Sequence, residues 1–260
     1  MGTLQNNMII LENKTFNVHS IKGYIETLYL IEYPNKLLLL DGGCRCDAET
    51  IVLYIQSIGR TIDDLKLIVI THPHPDHSGG APILQHQYHI PIAASPMLND
   101  WYVGVSGWIT QKVDIALTYY VARKKKQPWK PLGFPRWIAI DHPLDSNTPL
   151  PFFSDWHMLF TPGHTTVDYS VVHHGESVAY IADLIIGLGS RYHSPYPISD
   201  PNRYKDSLAI IRDMSLNHYL LAHHGRHSIS TETFNQVIES VAETPKNHIN
   251  SIGLRLGLSG

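Results

Sequence analysis

Four metal-ligand side chains crowd one short segment, Thr71-His72-Pro73-His74-Pro75-Asp76-His77. His72 and His74 alternate, so in an extended loop both imidazoles project to the same side. Pro73 and Pro75 hold the segment out of helix and restrict it. If the chain then turns, Asp76 and His77 face a second, adjacent position. Two imidazoles for one ion and a carboxylate–imidazole pair for a second make sensible zinc chemistry. A polar surface loop that happens to be rich in histidine is the bland alternative. Four ligand-type residues directly after an apolar run disfavour it. The chain holds 17 histidines, so histidine alone marks nothing and spacing has to decide.

The elements around this segment must place it. Residues 67–70 predict a buried strand, which puts the motif beyond its carboxyl end, where sites collect in layered α/β folds. Residues 24–33 predict a strand, and residues 36–40 another that runs into the turn Asp41-Gly42-Gly43. Ile51, Tyr54, Ile55 and Ile58 recur at helical spacing and predict a helix over 47–58, stopped at Gly59. A helix-like stretch follows Gly79-Gly80, and residues 90–94 predict a strand. Residues 98–126 read as largely helical, and 127–137 as a Pro- and Trp-rich loop. The whole of 98–145 reads as an insertion covering the site. Its aromatic residues either pack helices, line an apolar pocket or meet a second copy. Arg123-Lys124-Lys125-Lys126 reads as a solvated helix end.

The second half repeats the pattern. A strand over 156–160 enters Thr161-Pro162-Gly163-His164-Thr165. Strands at 168–173 and 177–182 pair around His174-Gly175-Glu176, with His173 and His174 expected in solvent at the tip. Asp183 follows directly. Asp200 as N-cap with Pro201 opens a helix. A last strand over 219–221 ends at His223-His224-Gly225, and a helix over 231–241 closes the chain.

Bulk composition narrows the class. An apolar content of 43% supports a substantial core, and one large α/β domain over 1–260 fits the length. A net charge of −3 argues against nucleic acid or an anionic membrane as partner. Cys44 and Cys46, one residue apart, form no disulfide framework and point to a reducing compartment. The start has no basic-then-apolar leader, and no apolar run approaches a membrane span. These features predict a cytoplasmic protein acting on a small molecule, with a homodimer allowed.

The segment Thr71-His72-Pro73-His74-Pro75-Asp76-His77-Ser78-Gly79-Gly80 resembles the His-x-His-x-Asp-His signature of the metallo-β-lactamase superfamily. Further landmarks follow in order. Asp41-Gly42-Gly43 resembles the early aspartate turn, residues 161–165 the third metal motif, Asp183 the bridging aspartate, and His224-Gly225 the terminal His-Gly. The resemblance runs from about residue 24 to 225. It implies a four-layer αββα sandwich with two divalent ions, zinc first and iron or manganese as alternatives. One ion would take His72, His74 and His164. The other would take Asp76, His77 and His224, with Asp183 bridging. His223 competes with His224, and the family's register before Gly225 favours His224. Asp41 would orient the motif loop through hydrogen bonds.

The implied reaction is hydrolysis. Water acidified between two divalent ions attacks a carbonyl carbon, the metal polarises the carbonyl oxygen, and Asp76 is the expected catalytic residue that passes the proton. Glyoxalase II-like thioesterases, lactonases and other carboxyl-ester hydrolases share these ligands, so the expected substrate is a thioester, ester or lactone. Acyl-homoserine-lactone lactonases usually carry a tyrosine near the position of Ile186; here Tyr192 or Tyr196 would have to reach in. An iron-dependent oxidoreductase or dioxygenase and a phosphodiesterase are the alternatives.

Overall fold

Four successive leucines, Leu37 to Leu40, need apolar surroundings on both faces of one strand. Side chains alternate across a strand, so a sheet carrying this run must be covered on both sides. The computed structural model describes residues 8–189 and 191–245. Its first sheet has seven strands in sequence order: β1 (Met8–Glu12), β2 (Asn17–Lys22), β3 (Thr27–Tyr33), β4 (Lys36–Leu40), β5 (Leu65–Ile70), β6 (Ile92–Ala94) and β7 (His142–Pro143). The strands β1 to β4 form an antiparallel meander, and β4 to β7 lie parallel. The second half contributes β8 (Pro149–Leu150), β9 (Phe153–Phe160), β10 (Tyr169–His173), β11 (Val178–Tyr180), the hairpin strands β12 (Ile186–Leu188) and β13 (Arg191–His193), then β14 (His218–Leu221) and β15 (Gly225–His227). Six of these form the second sheet, in the order β15-β14-β11-β10-β9-β8, while β12 and β13 pair separately.

Leu38 and Leu40 face inward with Tyr29, Ile31 and Val69, and meet Trp156, Met158, Val171 and Tyr180 of the second sheet. Leu37 and Leu39 face outward with Ile68 and Ile70. Helices α1 (Asp47–Ser57) and α3 (Ala81–Tyr88) cover them through Ile51, Ile55 and Leu84. On the far side, Ile181, Tyr219 and Leu221 lie under α5 (Pro201–Asp213) and α6 (Thr231–Ser240), which contribute Leu208, Ile211, Phe234 and Val237. The layers are therefore helix, sheet, sheet, helix: the αββα sandwich. The expected Asp200 cap is formed, its carboxylate accepting the Asn202 and Arg203 N–H groups. The remaining helices are the short α2 (Pro75–Ser78) inside the motif and α4 (Gly104–Lys124), which packs over the site edge. Among the described residues no helix is long and apolar enough to cross a membrane.

Several elements depart from the sequence expectation. The strands β1 and β2 precede the first strand that the sequence predicts; they extend the sheet by pairing β2 on β3. The helix expected over 98–126 is broken before Gly104, whose φ of +71° favours glycine. Residues 98–102 form a separate short turn of helix. The strand expected to be last is followed by β15, which folds back on β14. His173 is not in solvent. It is buried, with Nε2 3.1 Å from Asp155 Oδ2 and Nδ1 accepting the Glu176 N–H at 3.0 Å. Of the two histidines only His174 is exposed at the tip.

Trp156 sits fully buried between the sheets, and its indole N–H donates to the Tyr33 hydroxyl at 3.0 Å. Trp156→Ala should cost about 3–5 kcal/mol through the cavity and the lost transfer energy. A urea denaturation midpoint shift worth less than ~1 kcal/mol would show that the two sheets do not share one core.

Candidate metal centre

Five loops at one edge of the sandwich deliver the ligand-type residues. Asp41 ends β4 and the histidine motif follows β5, whose parallel pairing with β4 brings both carboxyl ends to the same edge. His164 lies between β9 and β10, Asp183 follows β11, and the loop after β14 carries His223 and His224. The loops interlock closely. A Cβ on Gly80 would sit 2.2 Å from the Gly42 carbonyl oxygen, so the turn after Asp41 can approach the end of the motif only with glycine there.

Two groups of potential ligand atoms result. His72, His74, His164 and Asp183 form one; Asp76, His77 and His223 form the other; within each, the atoms lie within 4.8 Å of one another. His164 Nε2 is 3.0 Å from His74 Nδ1 and 3.6 Å from Asp183 Oδ2. In the second group, Asp183 Oδ1 is 3.4 Å from His77 Nε2 and 3.2 Å from His223 Nε2, and Asp76 Oδ2 is 3.4 Å from His223 Nε2. Asp183 thus turns one oxygen to each group. Ligand atoms about 2.0–2.2 Å from a tetrahedral zinc lie roughly 3.3 Å apart, close to these spacings. His72 Nε2, His77 Nε2 and Asp183 Oδ1 are buried without hydrogen-bond partners. Such atoms are costly unless something else pairs with them. The donor set fits divalent cations.

The outer ring nitrogens fix the tautomers. A carboxylate only accepts, so His77 Nδ1–H donates to Asp41 Oδ2 at 2.7 Å. His164 Nδ1–H donates to the Pro197 carbonyl at 2.6 Å. The Thr71 hydroxyl donates to Asp41 Oδ2 at 2.8 Å, leaving it to accept from His72 Nδ1–H at 3.0 Å. Each of the three imidazoles therefore turns its Nε2 toward the centre. His74 is reversed: its Nδ1 faces the centre, and its Nε2 lies 3.8 Å from Asp114 Oδ2.

Charge separates the histidines. Burial chiefly, reinforced by the neighbouring imidazoles His77, His74 and His164, holds His72 well below its usual range. Burial likewise lowers His74 to about 4, against the pull of Asp114. Burial opposes charge on His77 and His223 as well, but carboxylates outweigh it there. Asp183, Asp41 and Asp76 raise His77 well above its usual value, and Asp183 with Asp76 raises His223 to about 9. Asp76 is lowered to about 2, burial being outweighed by His77 and His223. In the metal-free protein, protons on His77 and His223 offset part of the carboxylate charge.

Six of the seven residues expected as ligands, His72, His74, Asp76, His77, His164 and Asp183, converge here. His224 does not, and His223 takes its place. The turn after β14 swings His224 outward, where its ring stacks on His227 at 4.5 Å with planes 8° apart. It also presses against Gly187 of β12, where a Cβ would come within 2.1 Å of the His224 ring. Two adjacent histidines at a turn point in different directions, and no residue type nearby reveals which points inward. Asp114 also belongs to the site without having been expected there. A signal for it exists: it is the one carboxylate in residues 101–140, and in α4 it lies one turn before Thr118 on the buried side. Asp114, Leu117, Thr118 and Val121 line the cleft above the centre together with Ile25, Ile186 and Tyr196. Of residues 98–145, α4 contributes these four cleft-lining residues. Tyr196 reaches the cleft, whereas the Tyr192 hydroxyl meets His227 Nδ1 at 2.9 Å.

A third group, Glu26, Cys44 and Asp47, lies nearby. Its carboxylates accept backbone N–H groups: Ile25 N to Glu26 Oε2 at 3.2 Å and Cys44 N to Asp47 Oδ2 at 2.9 Å. The first bond holds the loop between β2 and β3, and the second the loop after β4.

His223→Ala should reduce bound metal from two ions per chain toward one, whereas His224→Ala should leave the content unchanged, as read by elemental analysis. The opposite pattern would restore the assignment expected from the sequence. A raised pKa means a bound proton at pH 7, so metal uptake there should release about one to two protons. Release should diminish as the pH passes about 9, where His223 is already neutral. Calorimetric titrations in buffers of different ionisation enthalpy measure this; metal binding without proton release at pH 7 contradicts the charge balance.

The sequence profile of the metallo-β-lactamase superfamily matches residues 22–231. Among curated relatives, ribonuclease J 1 of Streptococcus pyogenes is 36% identical over 98 residues, 34% of this chain and 18% of its own length. "Probable metallo-hydrolase YflN" of Bacillus subtilis is 26% identical over 177 residues, 65% of this chain and 64% of its own. The chain therefore spans less than two thirds of either relative. Among solved structures, a metallo-β-lactamase from Erythrobacter litoralis aligns with a TM-score of 0.63 at 15% identity, covering 92% of this chain and 99% of that one. A metallo-β-lactamase family protein from Thermus thermophilus aligns with a TM-score of 0.61 at 17% identity, covering 90% and 78%. These structural likenesses show the fold. With the profile match covering most of its length, the chain belongs to the metallo-β-lactamase superfamily.

Proposed function

We propose that the chain is a dinuclear metal-dependent hydrolase, most simply a zinc enzyme, that cleaves a carboxylic thioester, ester or lactone. The observation that carries the reaction is the division of Asp183, whose two oxygens face two separate groups of ligand-type residues. His72, His74 and His164 would hold one ion; Asp76, His77 and His223 would hold the other; Asp183 would join them. Ions held there would supply Lewis acidity, acidifying water toward neutral pH and polarising a carbonyl.

The chain's own residues do the rest. Asp41 and Thr71 hold the imidazoles in the ligating tautomer. Asp76 lines the cleft beside His223 and would accept a proton and pass it to the leaving group. Tyr196, half exposed, lines the cleft where a substrate would enter. Leu117, Val121, Ile25 and Ile186 keep the acyl side of the cleft apolar.

The lining also favours a carbonyl substrate over a phosphodiester. Among the described residues no lysine or arginine lines this cleft, and Asp114 adds a carboxylate. A phosphodiester would meet negative charge without a cationic side chain to offset it. Lys22 and Lys125 line a neighbouring cavity across Ile25 and His223. Partial identity to ribonuclease J makes nuclease action the specific alternative.

Thioesters, lactones, phosphodiesters and β-lactams should be assayed with metal-replete protein. Carbonyl substrates should turn over, and His72→Ala with His74→Ala should lose both metal and hydrolysis. Phosphodiester turnover above every carbonyl substrate would overturn the substrate class. Dominant iron with oxygen uptake would replace hydrolysis by oxidation.

A further inference from the structure

The helix that walls the metal cleft has a second face. Asp114, Leu117, Thr118 and Val121 of α4 look into the cleft. On the other side, Val105, Trp108, Ile109, Lys112, Tyr120 and Arg123 recur at helical spacing and are all exposed. Val105 is 77% exposed, and Trp108, Ile109 and Tyr120 are each at least 50% exposed. Trp129, in the following loop, lies parallel to Tyr119 and is itself 75% exposed. Bulky apolar side chains exposed along one helix face mark an interaction surface.

Charge identifies what it meets. Residues 101–140 hold seven lysines and arginines and one carboxylate, in a chain with 20 Lys and Arg against 23 Asp and Glu. The segment therefore carries a net charge of +6 and the remainder −9. The single carboxylate, Asp114, is buried toward the cleft. Lys112 Nζ lies 5.9 Å from the Trp108 ring centroid, and Lys124 Nζ lies 5.4 Å from that of Tyr120. Cations thus ride at the level of exposed aromatic rings, the arrangement of a helix lying in a lipid interface.

Self-association through this face would press two basic surfaces together. Nucleic acid would match the charge but leave Val103, Val105 and Ile109 in water.

We propose that the outer face of α4 and the loop at 125–137 dock on an anionic phospholipid bilayer. The net charge of the whole chain argues against such a partner, whereas the local charge distribution argues for it. Docking is independent of the hydrolase assignment. It would bring the cleft within about one helix diameter, ~10 Å, of lipid, a short path for an apolar acyl substrate.

The 260-residue protein should be sedimented with extruded vesicles of phosphatidylcholine containing about a third phosphatidylglycerol, and with phosphatidylcholine alone. Binding should be at least about tenfold stronger to the anionic vesicles and should weaken with added salt. Trp108→Ser with Ile109→Ser should weaken it at least about tenfold. So should Arg123→Gln, Lys124→Gln and Lys126→Gln combined. All five positions are exposed; unchanged circular dichroism and metal content confirm the fold. No binding to anionic vesicles at low salt overturns the proposal, as does binding that both variants leave intact. A dimer in solution that Trp108→Ser and Ile109→Ser dissolve would assign the face to a second copy. Single-stranded RNA bound where vesicles are not would assign it to nucleic acid. Either result also overturns the bilayer.

Discussion

The Asp41 carboxylate is the interaction on which the centre depends. It accepts the Thr71 N–H at 2.8 Å, the Thr71 hydroxyl at 2.8 Å, His77 Nδ1–H at 2.7 Å and the Tyr180 hydroxyl at 2.6 Å. Tyr180 belongs to β11, so one buried side chain ties the ends of β4 and β5 to the second sheet. Asp41 has a φ of 61°, a left-handed conformation that aspartate tolerates better than most residues. A carboxylate with several charge-assisted donors is strongly held, and removing it would strand those donors in a dry interior. The tautomer of His77 is set directly by Asp41, and that of His72 through Thr71.

The sandwich makes this arrangement rigid. Tyr29 of β3 donates to the Leu221 carbonyl at 2.8 Å, and Tyr169 N donates to the Thr71 carbonyl at 3.0 Å. These bonds join the two sheets at the edge where the ligands gather. The collected imidazoles and carboxylates are largely buried, and several of their atoms lack hydrogen-bond partners. Alone, such a group is a local electrostatic conflict; two divalent charges at its middle would resolve it. Metal binding and native stability would then be linked, because ions would bind the assembled loops and not the unfolded chain.

Helix α4 joins the centre to the outside of the molecule. Its Asp114 accepts the Tyr102 hydroxyl at 2.9 Å and faces the outer nitrogen of His74 at 3.8 Å. The same helix closes the cleft with apolar side chains and shows a basic, aromatic face to its surroundings. Motion of α4 would therefore alter cleft access and the surroundings of His74 together.

Much of this was legible in one dimension. The spacing of His72, His74, Asp76 and His77, the prolines between them and the apolar run before them determined a metal-type loop after a buried strand. Leu37 to Leu40 required a sheet covered on both faces, and Asp200-Pro201 started a helix where expected. Tertiary structure decided what depends on direction. His223 and His224 are chemically identical and adjacent; only the turn after β14 and the packing against Gly187 make one inward and the other outward. Net charge concealed a segment of +6, because a sum over the chain discards position. The helical stripe of α4 became visible only when its opposite side was seen committed to the cleft. Sequence carries residue chemistry and local spacing. Which atoms face each other across loops far apart in the chain is set by the packing of the two sheets.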